Sequence, residues 1–204
     1  MRYDAEHKQR TRAKVLKEAA RAIRNEGPHR VGVAEVMSKA GLTHGGFYAH
    51  FNSKDDLVVA AIAQMFDEAL AVFAHLTAGK AAAAALAAYV DFYLSPRHRD
   101  AQATGCPLPA LAADLPRLDR TARAGFTRGA ESLTTALARL IADLGQPDPA
   151  ALASSALAEM VGAVCLARAL SDPRRSNDVL KLSRDALKHR LGIAEEGPGT
   201  NPRQ

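Results

Sequence analysis

The chain is expected to be all-α, with about nine helices, and three observations carry that expectation. Hydrophobic residues make up 48% of its 204 residues but aromatics only 5%, so the apolar fraction is dominated by alanine, with leucine and arginine as further strong helix formers. The β-branched and aromatic residues that mark strands are sparse. Apolar positions recur with a period near 3.6 in several segments, each closed by glycine or proline. The length suits one large domain or a small domain followed by a larger one, and either can bury a core.

Residues 1–6 are expected to fray. A first helix runs from about Lys8 to Asn25, with Val15, Leu16, Ala19, Ala22 and Ile23 as its apolar stripe. Arg10, Lys14, Lys17, Arg21 and Arg24 fall on the other face, and Gly27-Pro28 ends it. A second helix, Val33 to Lys39, follows the weak cap Gly32 and stops at Gly41. Thr43 is a good cap for a third, about His44 to His50. Ser53 caps a fourth, with Asp55 and Asp56 in the first turn, where negative charge suits the helix dipole. That fourth helix has the clearest pattern: Leu57, Val58, Ala61, Ile62, Met65, Phe66, Ala69, Leu70 and Phe73.

A fifth helix spans about Lys80 to Leu94, and residues 95–107 read as a polar loop. A short helix covers about Leu108 to Asp114, stopped by Pro116. A long one covers about Leu118 to Leu144, ended by Gly145 and Pro147. Pro149 opens the next as a first-turn proline and it runs to about Leu170. Asp172-Pro173 reads as a break, a last helix runs from about Asn177 to Leu191, and residues 194–204 read as a disordered tail. The expected domains are 8–54, 55–192 and a tail at 193–204.

Charge is concentrated at one end. Residues 1–56 hold 11 Lys+Arg against 7 Asp+Glu, net +4, of a total of +5, and four of the seven histidines. An N-terminal module facing phosphates would have this distribution, and so would a basic surface without a partner. Cys106 and Cys165 stand at no metal spacing and are too few for a disulfide framework. No N-terminal apolar run resembles a signal peptide and no run of about 18 apolar residues suggests a membrane span. A cytoplasmic protein without metal or cofactor is expected, with no membrane partner.

The most informative segment is Gly41-Leu42-Thr43-His44-Gly45-Gly46-Phe47-Tyr48-Ala49-His50-Phe51-Asn52-Ser53-Lys54. A helix, a glycine-containing turn and a short polar-faced helix form the pattern of a helix-turn-helix, whose second helix enters a DNA major groove. Thr43 can donate to a phosphate while the helix start offers amides. His44 can donate or accept at a base edge, and Gly45 and Gly46 let the backbone approach bases closely. Glycines that merely loosen a turn are the alternative. Phe47 and Phe51, four apart, should pack inward against Ile23, Val36 and Leu57. Lys54 can pair with a phosphate as a point charge. Arg10, Arg12 and Lys14 could reach DNA or form a solvated face.

Gly41-Leu42-Thr43-x-Gly45-x-Phe47-Tyr48-x-His50-Phe51-x-Ser53-Lys54-x-x-Leu57, preceded by Val36-x-x-x-Ala40, resembles the signature of the TetR (tetracycline-repressor-like) family. The resemblance covers about residues 8–58. Gly105-Cys106-Pro107-Leu108 together with Leu42 to Phe51 resembles one large subgroup. It departs at Gly32, where the family usually has Ser, Thr or Asp. The resemblance implies an N-terminal three-helix DNA-binding domain and a C-terminal helical domain for ligand binding and dimerisation. It implies a homodimeric repressor released from a palindromic operator by a small molecule. Tyr48 and His50 would then touch phosphates.

In the second body Phe66, Phe73, Tyr89, Phe92, Tyr93 and Phe126 are candidates to line an effector pocket, with Cys106 among the polar groups. Ordinary core packing is the alternative for each. Cys106, near Arg97, His98 and Arg99, is either a thiol that senses oxidants or electrophiles or a small buried hydrophobe. Cys165 lies in an apolar stripe and reads as structural. Leu157, Met160, Val161, Val164, Leu180 and Leu187 are the dimer candidates, because two copies place two reading helices on two half-sites. The effector is expected to be small and apolar or electrophilic, with a Cys106 redox regulator as the alternative. An enzyme is disfavoured: no Ser-His-Asp arrangement, metal spacing or glycine-rich phosphate loop is present, and Cys106 with His98 is the only pair to propose.

Overall fold

The computed structural model describes residues 2–193, and among them nine α-helices and three 3-10 helices occur with no strand. The α-helices are α1 (Arg2–Glu26), α2 (Val33–Lys39), α3 (Lys54–Thr77), α4 (Ala82–Tyr93), α5 (Pro96–Asp100), α6 (Pro107–Leu111), α7 (Arg120–Asp143), α8 (Pro149–Ala169) and α9 (Pro173–Arg190). The 3-10 helices are His44–Ala49, Gln102–Thr104 and Leu115–Arg117. The described residues divide into two compact units, one formed by the part up to residue 72 with 100–133, the other by 73–99 with the part from 134 to 193. α3 and α7 contribute residues to both.

Four boundaries differ from the sequence reading. α1 begins at Arg2 because no glycine or proline interrupts its first turns, so the expected fraying is absent over the described part. Residues 95–107 are not a loop: they hold α5, a 3-10 turn and the start of α6. Asp172-Pro173 does not separate two helices by several residues but starts α9. The Asp172 carboxylate accepts from the Arg174 amide at 2.8 Å, and Pro173, which has no amide to leave unsatisfied, takes the first turn. Ile193, assigned to the tail, is buried, while residues 194–204 lie outside the described residues. By length and composition α3 and α8 are apolar enough to cross a membrane, contrary to the sequence expectation. Here their apolar positions, such as Leu57, Ile62 and Met65 in α3, are buried.

In the first unit Val15, Ala19 and Ile23 of α1 are buried, as are Val36 and Met37 of α2 and Leu57 and Ile62 of α3. Arg24, assigned from periodicity to the solvated face of α1, is 2% exposed. Its guanidinium donates to Glu68 of α3 at 2.8 Å and to the Ala103 carbonyl at 3.4 Å. Gln102 donates back to the Arg24 carbonyl at 3.1 Å, so α1 is clasped to the 102–104 turn from both directions. Glycine is required at Gly129 of α7 for a packing reason. A Cβ there would stand 2.2 Å from the Phe66 ring, which itself meets Phe126 edge-on at 5.4 Å.

In the second unit Leu86, Val90, Leu137, Met160, Val164, Leu180 and Leu187 are buried. Asp91 of α4 pairs with Lys188 at 3.0 Å and with Arg184 at 3.7 Å, joining α4 to α9. Arg190 and Glu159 join α9 to α8 at 2.6 Å. His98 is enclosed: its Nδ1–H donates to the Tyr93 carbonyl at 2.8 Å, and Phe92 and Tyr93 lie against the ring. Arg99 donates to Ser176 and Asn177 at 2.7 and 2.8 Å, so polar bonds hold the supposed loop in place.

Here the dimer candidates are corrected. Leu157, Met160, Val164, Leu180 and Leu187 are buried within one protomer, where α8 and α9 pack on each other, and Val161 is half-buried. Side chains consumed by intramolecular packing cannot also face a second copy. The exposed apolar and small positions are others: Gly162, Cys165, Leu166 and Ala169 on α8, and Leu182 and Ala186 on α9. Leu166 is 59% and Leu182 66% exposed. Cys165, read as structural, is exposed as well.

Candidate nucleic-acid interface

The site is built on a helix end that glycine makes possible. Ala40 caps α2, and Gly41 follows at φ +75, a left-handed conformation that strains residues carrying a Cβ. The Leu42 amide donates to the Met37 carbonyl at 2.9 Å and the Gly41 amide to Ser38 at 3.0 Å. These two bonds make a Schellman end, which turns the chain sharply out of α2. Gly32 caps the other end of α2 with extended backbone and no side-chain bond, as the sequence led one to expect of a weak cap.

Residues His44–Ala49 form a 3-10 helix rather than the α-helix expected to His50. Thr43 holds the cap position with extended backbone but makes no side-chain capping bond. Its backbone carbonyl accepts from the Gly46 amide at 3.1 Å. The short helix is anchored by aromatics. Phe47 and Phe51 are 2% and 1% exposed and stack at 5.6 Å, confirming their expected inward role. Tyr48 rests edge-on against Phe47 at 5.3 Å yet is 71% exposed. One ring thus fixes the other in place while leaving it in solvent.

Thr43, His44, Gly45 and Tyr48 are exposed together in this segment, and Gly46 is half-buried. A Cβ added at Gly45 would meet nothing within 4 Å, and the backbone there is not left-handed. Neither conformation nor internal space calls for glycine at this position. Gly46 is nearly as unconstrained, its nearest neighbour being the Met37 methyl at 3.7 Å.

α3 begins with a reciprocal cap: the Asp56 amide donates to Ser53 Oγ at 3.0 Å, and Asp56 accepts from the Asn52 amide at 3.0 Å. Lys54, expected as a point charge for phosphate, is half-buried and already donates to the His29 carbonyl at 2.8 Å. His50 is half-buried with its Nδ1 enclosed and without a hydrogen-bond partner. Its pKa lies below the ordinary 6.5, first because of burial and then because Lys8, Arg12 and His7 of α1 stand near it. Arg12 lies over the Phe51 ring at 4.7 Å, a cation–π contact that orients the guanidinium. By sequence Arg12 is either a cation that reaches DNA or part of a solvated face. Residues so far apart in the chain give no local signal that they touch.

Comparison with known proteins agrees with this geometry. Residues 15–61 match the family model described as "Bacterial regulatory proteins, tetR family". Over those residues the chain is similar to the DNA-binding module of that family. A 62-residue stretch is 39% identical to the HTH-type transcriptional regulator TtgR of Pseudomonas putida, and equally to the probable HTH-type transcriptional regulator ArpR of the same species. That stretch spans 30% of this chain and 30% of each relative's length. Solved structures match far more of the chain. The reduced form of NemR from Escherichia coli has a TM-score of 0.77 at 20% identity over 88% of this chain and 95% of that one. A TetR transcriptional regulator from Chloroflexus aurantiacus has 0.78 at 23% over 92% and 96%. At such identities the likeness speaks for the fold, and that fold is the TetR one.

Outside the TetR-type module the seven pocket candidates fall into separate groups. In the first unit Phe66 meets Phe126, and Cys106, buried at 7% exposure, precedes Pro107 at the start of α6. In the second unit Phe73 meets Tyr89 at 4.8 Å and Tyr89 meets Tyr93 at 5.7 Å, while Phe92 lies against His98. A cavity of about 300 Å³ in the first unit is lined by Pro28, His29, Lys54, Asp55, Val58, Arg117, Leu118, Asp119 and Ala122, none of them among the seven. Among the described residues no group of three or more His, Cys, Asp or Glu is placed to hold a metal ion.

Proposed function

We propose that this chain is a TetR-family regulator, a homodimeric transcriptional repressor of the cytoplasm that reads a double-stranded palindromic operator and is released by a small apolar or electrophilic effector. Residues 8–54 read DNA, and residues 55–192 bind the effector and pair the two copies. The observation that carries the reading is the segment 43–48. It exposes Thr43, His44 and Tyr48 around a glycine for which the protein itself has no steric use. Close approach of a base edge or a phosphate supplies that use. The exposed apolar positions of α8 and α9 favour pairing of two copies, since large exposed hydrophobics on a soluble chain mark interaction surfaces.

The test is a mobility shift with the DNA upstream of the protein's own gene. A complex that weakens steeply with salt, and weakens again in Tyr48→Ala, supports the reading. Absence of any sequence-preferring complex refutes it. A second reading has an observation of its own: a structural neighbour is described as a reduced form, and this chain has Cys106 in a helix-opening position. In that reading the Cys106 thiol senses an oxidant, and its burial means the surrounding turn must open first. Peroxide that releases DNA from the native protein but not from Cys106→Ser supports it; equal release from both excludes it.

A further inference from the structure

The cavity of about 300 Å³ in the first unit is walled by three segments far apart in the chain: the turn after α1, the start of α3, and the 117–122 stretch at which α7 begins. That volume stands at the lower end of the range that holds small molecules. Its apolar lining is Pro28, Val58, Leu118 and Ala122, with Val58 and Ala122 buried. Its charged lining is balanced, Lys54 and Arg117 against Asp55 and Asp119, and His29 is the remaining polar side chain. These charged groups keep hydrogen-bonding capacity. The Lys54 ammonium donates to the His29 carbonyl at 2.8 Å and has further N–H groups. Arg117 turns one terminal nitrogen to the Ala113 carbonyl at 3.1 Å and to Asp114 at 3.6 Å, and its side chain is 70% exposed. Asp119 spends Oδ1 on the Ala122 amide at 2.6 Å and retains Oδ2, while Asp55 is exposed in the first turn of α3.

We propose that this cavity binds a small zwitterion of the α-amino-acid class with an apolar side chain. A ligand with one charge would cover the like-charged pair of side chains and leave it without a counter-charge, which is costly wherever water is displaced. A zwitterion answers both pairs, its carboxylate toward Lys54 and Arg117 and its ammonium toward Asp55 and Asp119. The apolar side chain then covers Pro28, Val58, Leu118 and Ala122. The site shares no residue with the aromatic groups of the second unit, nor with the exposed run from Thr43 to Tyr48. Binding here is independent of the DNA-binding reading, but its consequence rests on that reading. Lys54 opens α3 directly after the reading segment, and one ammonium serves either the ligand carboxylate or a DNA phosphate, so ligand and operator each weaken the other.

The experiment is calorimetry of the full chain with L-leucine, L-phenylalanine and L-tryptophan. Binding by none of them overturns the proposal. For the tightest of them, the analogue without the ammonium and the analogue without the carboxylate are each expected to bind about tenfold or more weakly, the loss of a charge-assisted hydrogen bond. An analogue that binds as tightly as its parent overturns the zwitterion assignment. Arg117→Ala and Asp55→Asn are each expected to weaken binding by about tenfold or more, and Arg175→Ala, at the exposed start of α9, to leave it unchanged. Unchanged affinity in either cavity variant overturns the site. If a cavity variant does not fold, the native chain decides: the amide resonances of His29, Asp55 and Leu118 must move as the amino acid is added, and movement confined to residues 134–193 overturns the site. A mobility shift separates the consequence from the site. Amino-acid binding that leaves the DNA complex as tight as before overturns competition at Lys54 alone, and absence of any sequence-preferring DNA complex overturns the DNA-binding reading while the site stands.

Discussion

Gly45→Ala adds one methyl group at a helical position where nothing lies within 4 Å, so folding and DNA binding should respond in opposite directions. Glycine in a helix is less favourable than alanine by roughly 0.5–1 kcal/mol, because its backbone loses more freedom on ordering. The backbone at Gly45 is not left-handed, and no neighbour must move to admit the methyl. The variant should therefore be more stable by up to about 1 kcal/mol, which for a chain of this size raises Tm by about 2–4 °C. If DNA occupies the space beside Gly45, the same methyl is an overpacking substitution there, worth about 1–3 kcal/mol, or roughly fivefold to 150-fold in Kd per protomer. Thermal unfolding and a mobility shift on the same preparation read the two effects. A variant that binds its operator as tightly as the native protein refutes the close-approach argument, and a variant that melts lower refutes the local reading of the backbone.

Gly129→Ala should act in the opposite sense on stability. Its Cβ would stand 2.2 Å from the buried Phe66 ring, so a loss of about 1–3 kcal/mol is expected in denaturant unfolding, partly restored by Phe66→Leu. Arg24→Ala leaves the Glu68 carboxylate without its buried partner. Because that carboxylate is 35% exposed, the loss should sit near the low end of the buried-pair range, about 3 kcal/mol, and Glu68→Gln should cost less. Burial pushes the His98 pKa below 6.5, against the opposing hydrogen bond to Tyr93. The unfolded chain then binds a proton that the folded chain refuses, so His98 contributes stability present above pH 6.5 and lost as pH falls through its folded pKa. Unfolding measured across that interval should show the decline, and His98→Phe should remove part of it.

The helical elements and the reading segment were legible because their signals are local. The apolar repeat of α3, the limits of α2 at Val33 and Lys39, and the inward pair Phe47 and Phe51 all follow from spacing along one helix. What spacing cannot express is which of two helices a face will meet. Arg24 has the periodic position of a surface cation and is buried because Glu68 and the 102–104 turn arrive from elsewhere in the chain. Residues 95–107 looked like a loop because their composition is polar, yet His98 and Arg99 satisfy their polarity inside the fold. Leu157, Met160 and Leu187 have the stripe of an interface, and one protomer already fills it.

The sequence alone therefore determined an all-helical chain, its N-terminal excess of positive charge and the short polar segment from Thr43 to Tyr48 with Phe47 turned inward, since propensity, charge and turn chemistry act between near neighbours. Only the tertiary structure decided that Arg12 lies over Phe51, that His50 sits among cations of α1, and that Gly129 rather than Gly45 is glycine for internal packing. Those facts depend on segments tens of residues apart coming within a few ångströms, and short-range interactions between side chains fall away too steeply with distance to be read before the chain has folded.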